Sequence, residues 1–411
     1  MEPARLTELR LTDFKSFHDE VLPLGRLTVL IGGNAAGKSN ALEGLAALSR
    51  LAAGLTLREA LTGSSHSPSP IRGGAEGCAP VGRDSFGLGC TIHSHEGTFG
   101  LDVVVRTGRE LSLQTETLSW PGGTVTSVLE SGPRLTGGAE RLNAVVIGAI
   151  PLDYSAPGDF ASHLGAAQTV VPTLRRIKPI DPDPQTMRGY ATRGNAPLLP
   201  DGSNLSAVID AVRGRSEAAF SGLEEAVGIL SDGRITGLDL AETSIGDVQL
   251  LIREGSSLIP ARLASDGTLR FIAFATALFD TTEAADPRTE AAEGLLMIEE
   301  IERGLYPAQA GTLLDLIRRQ SATHSASVIV TTHSPALLSA LRPEEHPDVI
   351  VCSRDPESGS SRLRRLTELP GYPELIAAGG LGEAVTGDGL DAAQRERPGT
   401  AREFFDFLES L

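Results

Sequence analysis

The chain has 411 residues, 40% of them apolar but only 4% aromatic, which allows two or three lobes with aliphatic cores. Its 53 acidic residues against 36 Lys and Arg leave a net charge of −17, which excludes a whole-molecule attraction to nucleic acid or anionic membranes. Three cysteines without metal-type spacing (Cys78, Cys90, Cys352), no apolar run near the ~18 residues of a membrane crossing, and no secretion-signal core from Met1 to Phe14 point to a reducing, cytoplasmic setting.

Residues 5–12 alternate in part and read as a strand, and Leu27–Ile31 reads as a short buried one. The glycine-rich stretch Gly32-Gly33-Asn34-Ala35-Ala36-Gly37-Lys38-Ser39 follows, and residues 39–53 have helical spacing. Gly-x4-Gly-Lys-Ser between a strand and a helix is the pattern of a phosphate-binding loop. Successive bare amides converge on phosphate oxygens, and the helix start aims its positive dipole end at them. Lys38 would reach the β- and γ-phosphates of ATP, and the Ser39 hydroxyl would ligate Mg²⁺. Lysine occurs only three times, at positions 15, 38 and 178, so its place here is informative.

Residues 62–85 read as a flexible loop rich in Ser, Pro and Gly. An antiparallel meander is expected beyond it, with strands near 86–92, 98–106, 110–118 and 124–130. His93-Ser94-His95-Glu96 falls in its first turn, and no third metal ligand is placed by spacing. Residues 150–203 read as irregular, 204–213 and 217–230 as helices, and 247–253 with 257–262 as a hairpin. Arg175-Arg176-Ile177-Lys178 and Arg362-Leu363-Arg364-Arg365 are the basic runs, read first as solvated faces.

From 265 onward helix and strand alternate: helix 268–279, strand 294–298, helix 308–319, strand 327–332, helix 335–341 and strand 348–352. This implies a mainly parallel sheet with crossover helices. Ser265-Asp266-Gly267 opens the first of these helices, either as a helix cap or as an anion-facing helix end. The strand Gly294–Ile298 ends in Glu299-Glu300, the first a candidate metal-holding carboxylate and the second a candidate for orienting or deprotonating an attacking water. The next strand delivers His333 to the carboxyl edge, where ligands sit in open α/β sheets.

In this order the motifs resemble the ABC-type ATPase heads of the RecF, SMC and OLD-like proteins, in particular the bacterial AAA family ATPases of that group. Leu9–Phe17 is similar to their first strand, Leu27–Asn40 to their phosphate loop, and Asp201–Leu205 to a motif before their helical lobe. Leu263–Arg270 is similar to their signature motif, Glu299–Pro307 to their second acidic motif, and Thr331–Pro335 to their switch-histidine segment. The resemblance implies an α/β P-loop NTPase of ABC-ATPase type, with a mixed central sheet, an antiparallel β-meander and a helical lobe.

The expected division is 1–150 (phosphate loop and antiparallel sheet), 151–262 (irregular and helical lobe with hairpin), 263–355 (signature helix, acidic motif and switch histidine) and 356–411 (C-terminal extension). The resemblance further implies ATP and Mg²⁺ as cofactors and a head-to-tail homodimer or higher oligomer. Each ATP would be held by residues 32–40 of one chain and Ser265, Asp266 and Gly267 of another. Glu299 stands where the family usually has Asp, Ile301 where it has Pro, and Tyr306 where it has His. The family's glutamine loop has two candidates, Gln114 and Gln168.

The 78 residues after His333 (411 − 333) contain no obvious Asp-x-Asp pair of an appended nuclease, and heptad runs are absent. The expected output is therefore a separate effector gated by ATP, in a setting such as phage defence. The alternatives are a RecF-like DNA-binding repair ATPase and, less favoured, a transporter's nucleotide-binding subunit.

Overall fold

A computed structural model describes residues 3–64, 67–68, 71–108, 111–128, 141–142, 158–194, 196–280, 292–304, 306–323, 326–377, 381–386 and 394. The expected strand ends at 110 and 129–130, and nearly all of the extension beyond 386, lie outside them.

The strands used below are β1 (Arg5–Phe14), β2 (Phe17–Pro23), β3 (Leu27–Ile31), β4 (Ser85–Ser94), β5 (Gly97–Arg106), β6 (Ser112–Trp120), β7 (Gly123–Val128), β8 (Ile177–Ile180), β9 (Ile235–Glu242), β10 (Asp247–Glu254), β11 (Ser257–Pro260), β12 (Gly294–Ile298), β13 (Ala326–Thr331), β14 (Val349–Arg354) and β15 (Ser361–Arg365). The helices named are α1 (Lys38–Ala52), α2 (Gly158–Arg175), α3 (Leu205–Arg215), α4 (Glu217–Leu230), α5 (Asp266–Asp280), α6 (Ala310–Thr323) and α7 (Pro335–Ser339), with shorter ones besides.

Among the described residues, twelve strands form one mixed sheet in the order β8-β12-β13-β3-β14-β15-β2-β1-β4-β5-β6-β7. The block β8-β12-β13-β3-β14 is parallel, and the run from β2 through β1 to β7 is antiparallel. Strands β9, β10 and β11 belong to a separate antiparallel sheet.

The short parallel strands are apolar at nearly every position because both of their faces are covered. In β3, Leu27, Val29 and Ile31 point into one core, and Leu30 into the other. Strand β12 divides the same way, with Leu296 and Ile298 opposite Leu295 and Met297, and β13 sets Val328 and Val330 opposite Ile329. One core packs the sheet against α3 to α6; the other packs it against α1, α2 and the meander. Each such aliphatic side chain contributes about 1.5–3 kcal/mol by leaving water. Burial on two faces fixes which end of each strand reaches the loop edge.

The stretch 150–203, expected to be irregular, holds α2 and the sheet strand β8. Gly165 and Pro172 hide the helical spacing, but Ala166, Ala167, Val170, Val171 and Leu174 still form a buried stripe. The first basic run is tied inward, whereas the second keeps Arg362 and Arg364 exposed, as a solvated face does. The Arg175 Nε donates to the Ala52 carbonyl at 2.7 Å, Arg176 reaches the Ala292 carbonyl, and Lys178 pairs with buried Asp280 at 3.3 Å. Arg362 faces Asp355 at 3.7 Å, and Arg365 donates to the Pro347 carbonyl. No helix among the described residues is long and apolar enough to cross a membrane.

Candidate functional site

The glycine loop leaves the carboxyl end of β3 and turns into α1 through two left-handed glycines, Gly32 (φ 144°) and Gly37 (φ 118°). A Cβ at Gly32 would lie 2.0 Å from the Cys352 carbonyl oxygen, and one at Gly37 would lie 2.5 Å from the Ser361 hydroxyl. These two glycines are needed by the protein's own packing. Around Gly33 nothing lies within 4 Å of a Cβ, so that position is open to an incoming ligand. Gly32→Ala should therefore destabilise the fold by about 2–3 kcal/mol, while Gly33→Ala leaves stability unchanged. Thermal midpoints decide this, and equal losses at both positions would contradict the geometry.

The loop is buttressed from the C-terminal hairpin. The Ala36 carbonyl accepts from the Cys352 thiol at 3.2 Å and from the Ser361 hydroxyl at 2.5 Å. Asn40 donates to the Ser16 hydroxyl at 2.8 Å, and Ala35 is held at φ 62°. The buried Lys38 ammonium donates to the carbonyls of Gly32 (2.8 Å) and Gly33 (3.0 Å). Burial pulls its pKa below the ordinary lysine value, and nearby Glu300, Glu299 and Glu302 pull the other way.

Asn34 to Asn40 share one cleft, of about 330 Å³, with Glu299, Glu300, Thr331, His333, Arg72 and Arg354. The Ser39 hydroxyl donates to the Glu299 carboxylate, so the longer side chain still reaches the serine from the end of β12, two strands away from β3. Glu300 sits at φ 48°, a left-handed conformation that costs a non-glycine residue about 1–2 kcal/mol. Its amide donates to the Thr331 hydroxyl at 2.8 Å, which pins the acidic pair to the end of β13. The Glu300 carboxylate pairs with Arg303 at 2.9 Å. The His333 amide donates to Glu302 at 2.7 Å. Burial and the Lys38 charge lower the His333 pKa, against Glu302 and Glu300, so the ring is neutral at pH 7.

Residues 171–339 match the family model described as "AAA domain, putative AbiEii toxin, Type IV TA system". No curated protein matches the chain in sequence. Among solved structures, an SMC head bound to the C-terminal winged-helix domain of ScpA superposes with a TM-score of 0.53, at 15% identity, over 88% of this chain and 97% of that one. The fold is that of an SMC head. Two other heads overlap less closely. One, from Thermotoga maritima, shows 14% identity and TM-score 0.44 over 88% and 98% of the two chains. The other, from Pyrococcus furiosus and bound to a ScpA C-terminal domain, shows 13% identity and TM-score 0.47 over 91% and 100%. The fold assignment rests on the first.

Within this fold, Ser265, Asp266 and Gly267 do not line the cleft. The Ser265 hydroxyl accepts the Thr268 amide at 3.1 Å as an ordinary cap, and Asp266 pairs with Arg188 at 2.6 Å. Gly267 packs on the loop that follows Glu300: a Cβ there would lie 2.3 Å from the Gly304 carbonyl oxygen. Neither Gln114 nor Gln168 lines the cleft. The His93–Glu96 turn lies between β4 and β5, at the far side of the sheet order from β3.

Sequence reasoning misses Arg72 and Arg354. Arg72 belongs to the segment read as a flexible loop, yet its guanidinium pairs with Glu43 of α1 at 2.6 Å. Lys15 pairs with the same carboxylate at 2.5 Å and donates to the Arg72 carbonyl at 2.8 Å. No spacing rule links positions 15, 43 and 72.

Proposed function

We propose that this chain binds and hydrolyses ATP with Mg²⁺, that two copies close head to tail around the nucleotide, and that hydrolysis releases them to gate a separate effector. The observation that carries this reading is the convergence of the glycine loop, Lys38, Ser39, Glu299, Glu300 and His333 on one cleft. The donor set fits a magnesium triphosphate. The site offers an open glycine at 33, a buried ammonium, and a serine–carboxylate pair from α1 and the end of β12. Bound Mg²⁺ would neutralise charge on the phosphate oxygens.

Lys38 supplies a fixed positive charge, Ser39 and Glu299 supply hard oxygen ligands, and Glu300 orients the attacking water and takes its proton. Neutral His333 can donate from one ring nitrogen and accept at the other, which suits a bridge between water and phosphate. His333→Ala should slow turnover about 10²-fold. The imidazole pKa is lowered in the nucleotide-free chain, so kcat/KM should hold from pH 8 to 7 and fall only below the usual histidine range, where the acceptor nitrogen is lost. A kcat/KM–pH profile that keeps this acid limb after His333→Ala would remove the assignment.

The helix end at Ser265–Gly267 is not part of its own chain's cleft, which leaves it for use by a second copy. Two helix N-termini share the phosphate charge only when the copies meet, so the nucleotide favours the closed pair. Mixing tests this. Lys38→Ala chains and Ser265→Arg chains, each inactive alone, should regain turnover together, because one intact composite site forms. No regain at any ratio would rule out the shared site.

A partner effector in a bacterial defence system, acting in the cytoplasm, fits the toxin–antitoxin wording of the matched family and the ScpA-bound state of the similar heads. The DNA-clamp reading gains no support from the run at 175–178, whose cations are tied to carbonyls and a carboxylate of the same chain.

A further inference from the structure

We infer that Arg354 is a further binding residue of the cleft: a cation carried by the β14–β15 hairpin that contacts the phosphates of the bound nucleotide. This rests on the nucleotide reading above and adds to it a residue outside the motifs.

Two guanidinium groups line the cleft, and they differ in what they already hold. Arg72 pairs with Glu43 at 2.6 Å. Arg354 is exposed, and its Nε donates to the Gly359 carbonyl at 2.9 Å. That bond uses one of its five N–H donors and none of its charge. Among the described residues no carboxylate pairs with it. Across the cleft, Glu300 is answered by Arg303 at 2.9 Å. With these pairs set aside, the lining charges are Lys38 and Arg354 against Glu299. Without Arg354 these lining side chains would sum to zero formal charge, leaving attraction to the loop amides, the helix end and the metal.

The hairpin holds Arg354 in a fixed relation to Lys38. Strand β14 runs parallel to and beside β3, so both carboxyl ends open on one edge of the sheet. Asp355 closes the turn by accepting the amides of Glu357 (3.0 Å) and Ser358 (2.8 Å), and Gly359 completes it at φ 68°. Cys352 and Ser361, one from each strand, both donate to the Ala36 carbonyl of the glycine loop. The loop and the hairpin are therefore one hydrogen-bonded unit, with a guanidinium at its rim.

The test is titration of Mg·ATP into the full chain carrying Arg354→Gln or Arg354→Lys, at low and high salt, with thermal midpoints of the nucleotide-free proteins. Arg354→Gln should weaken binding about tenfold at low salt, with a smaller loss at high salt, while Arg354→Lys stays within about threefold of wild type. Midpoints should be unchanged. An Arg354→Gln affinity within twofold of wild type would overturn the inference. So would equal losses in both variants with lowered midpoints, which would make Arg354 only a pin of the hairpin turn. Wild-type protein that binds no nucleotide would remove the reading beneath, and this inference with it.

Discussion

Lys38→Ala is expected to weaken Mg·ATP binding by roughly 10²–10³-fold, to the edge of detection. The Lys38 side chain is only 8% exposed and is aimed by two backbone carbonyls of its own loop. Such a buried cation meets a phosphate with little competition from water, and removing one partner of a buried charge pair costs about 3–5 kcal/mol. At 1.4 kcal/mol per decade that gives the stated loss. Glu299 sharpens the effect, because without the ammonium its carboxylate is no longer outweighed by the cations lining the cleft. Calorimetric titration measures it directly. A thermal-shift assay gives an independent reading, since a ligand that binds only the folded chain raises its midpoint. Near-wild-type affinity in the variant would show that the phosphates do not lie beside Lys38.

Glu300→Gln is expected to keep ATP affinity, to lose turnover by about 10²–10³-fold, and to trap the closed pair of heads. The amide is nearly isosteric with the carboxylate and can still orient a water, but it takes no proton. The backbone placement should survive, because the Glu300 conformation is set by its amide bond to Thr331 and by the Ile301 amide on the Thr331 carbonyl. Loss of the Arg303 ion pair matters little, since it is half-exposed and screened. Light scattering with Mg·ATP should show dimer persisting for the variant and decaying for the wild type as ATP is consumed. A Glu300→Gln chain that hydrolyses at the wild-type rate would move the catalytic carboxylate elsewhere.

The parallel half of the sheet is legible in the sequence because burial on two faces writes uninterrupted apolar runs, as in Leu27–Ile31 and Gly294–Ile298, with functional residue types at their ends. Other elements are hidden for physical reasons. Strand β2 buries Phe17 and Leu22 but carries His18, Asp19 and Glu20 between them, so its alternation is broken. In β15, Ser361-Arg362-Leu363-Arg364-Arg365 reads as a cationic run, although Ser361 and Leu363 are its buried side. Helix α2 is disguised by its proline and glycine. At the site, residues on strand ends announce themselves. Arg72 and Arg354 depend on tertiary pairing and turn geometry, which local composition does not encode. The left-handed backbone at Glu300 is likewise invisible until Thr331 is seen to hold it.

All three lysines of the chain are tucked inward, Lys15 on Glu43, Lys38 on its loop carbonyls and Lys178 on Asp280. The outer surface thus presents its positive charge as arginine, a group that neither acylating reagents nor lysine-tagging enzymes modify. In the native state the side-chain amines are shielded from such chemistry. They become more reactive when the structure opens, so labelling of the lysine side chains reports on the protein's integrity rather than on its surface.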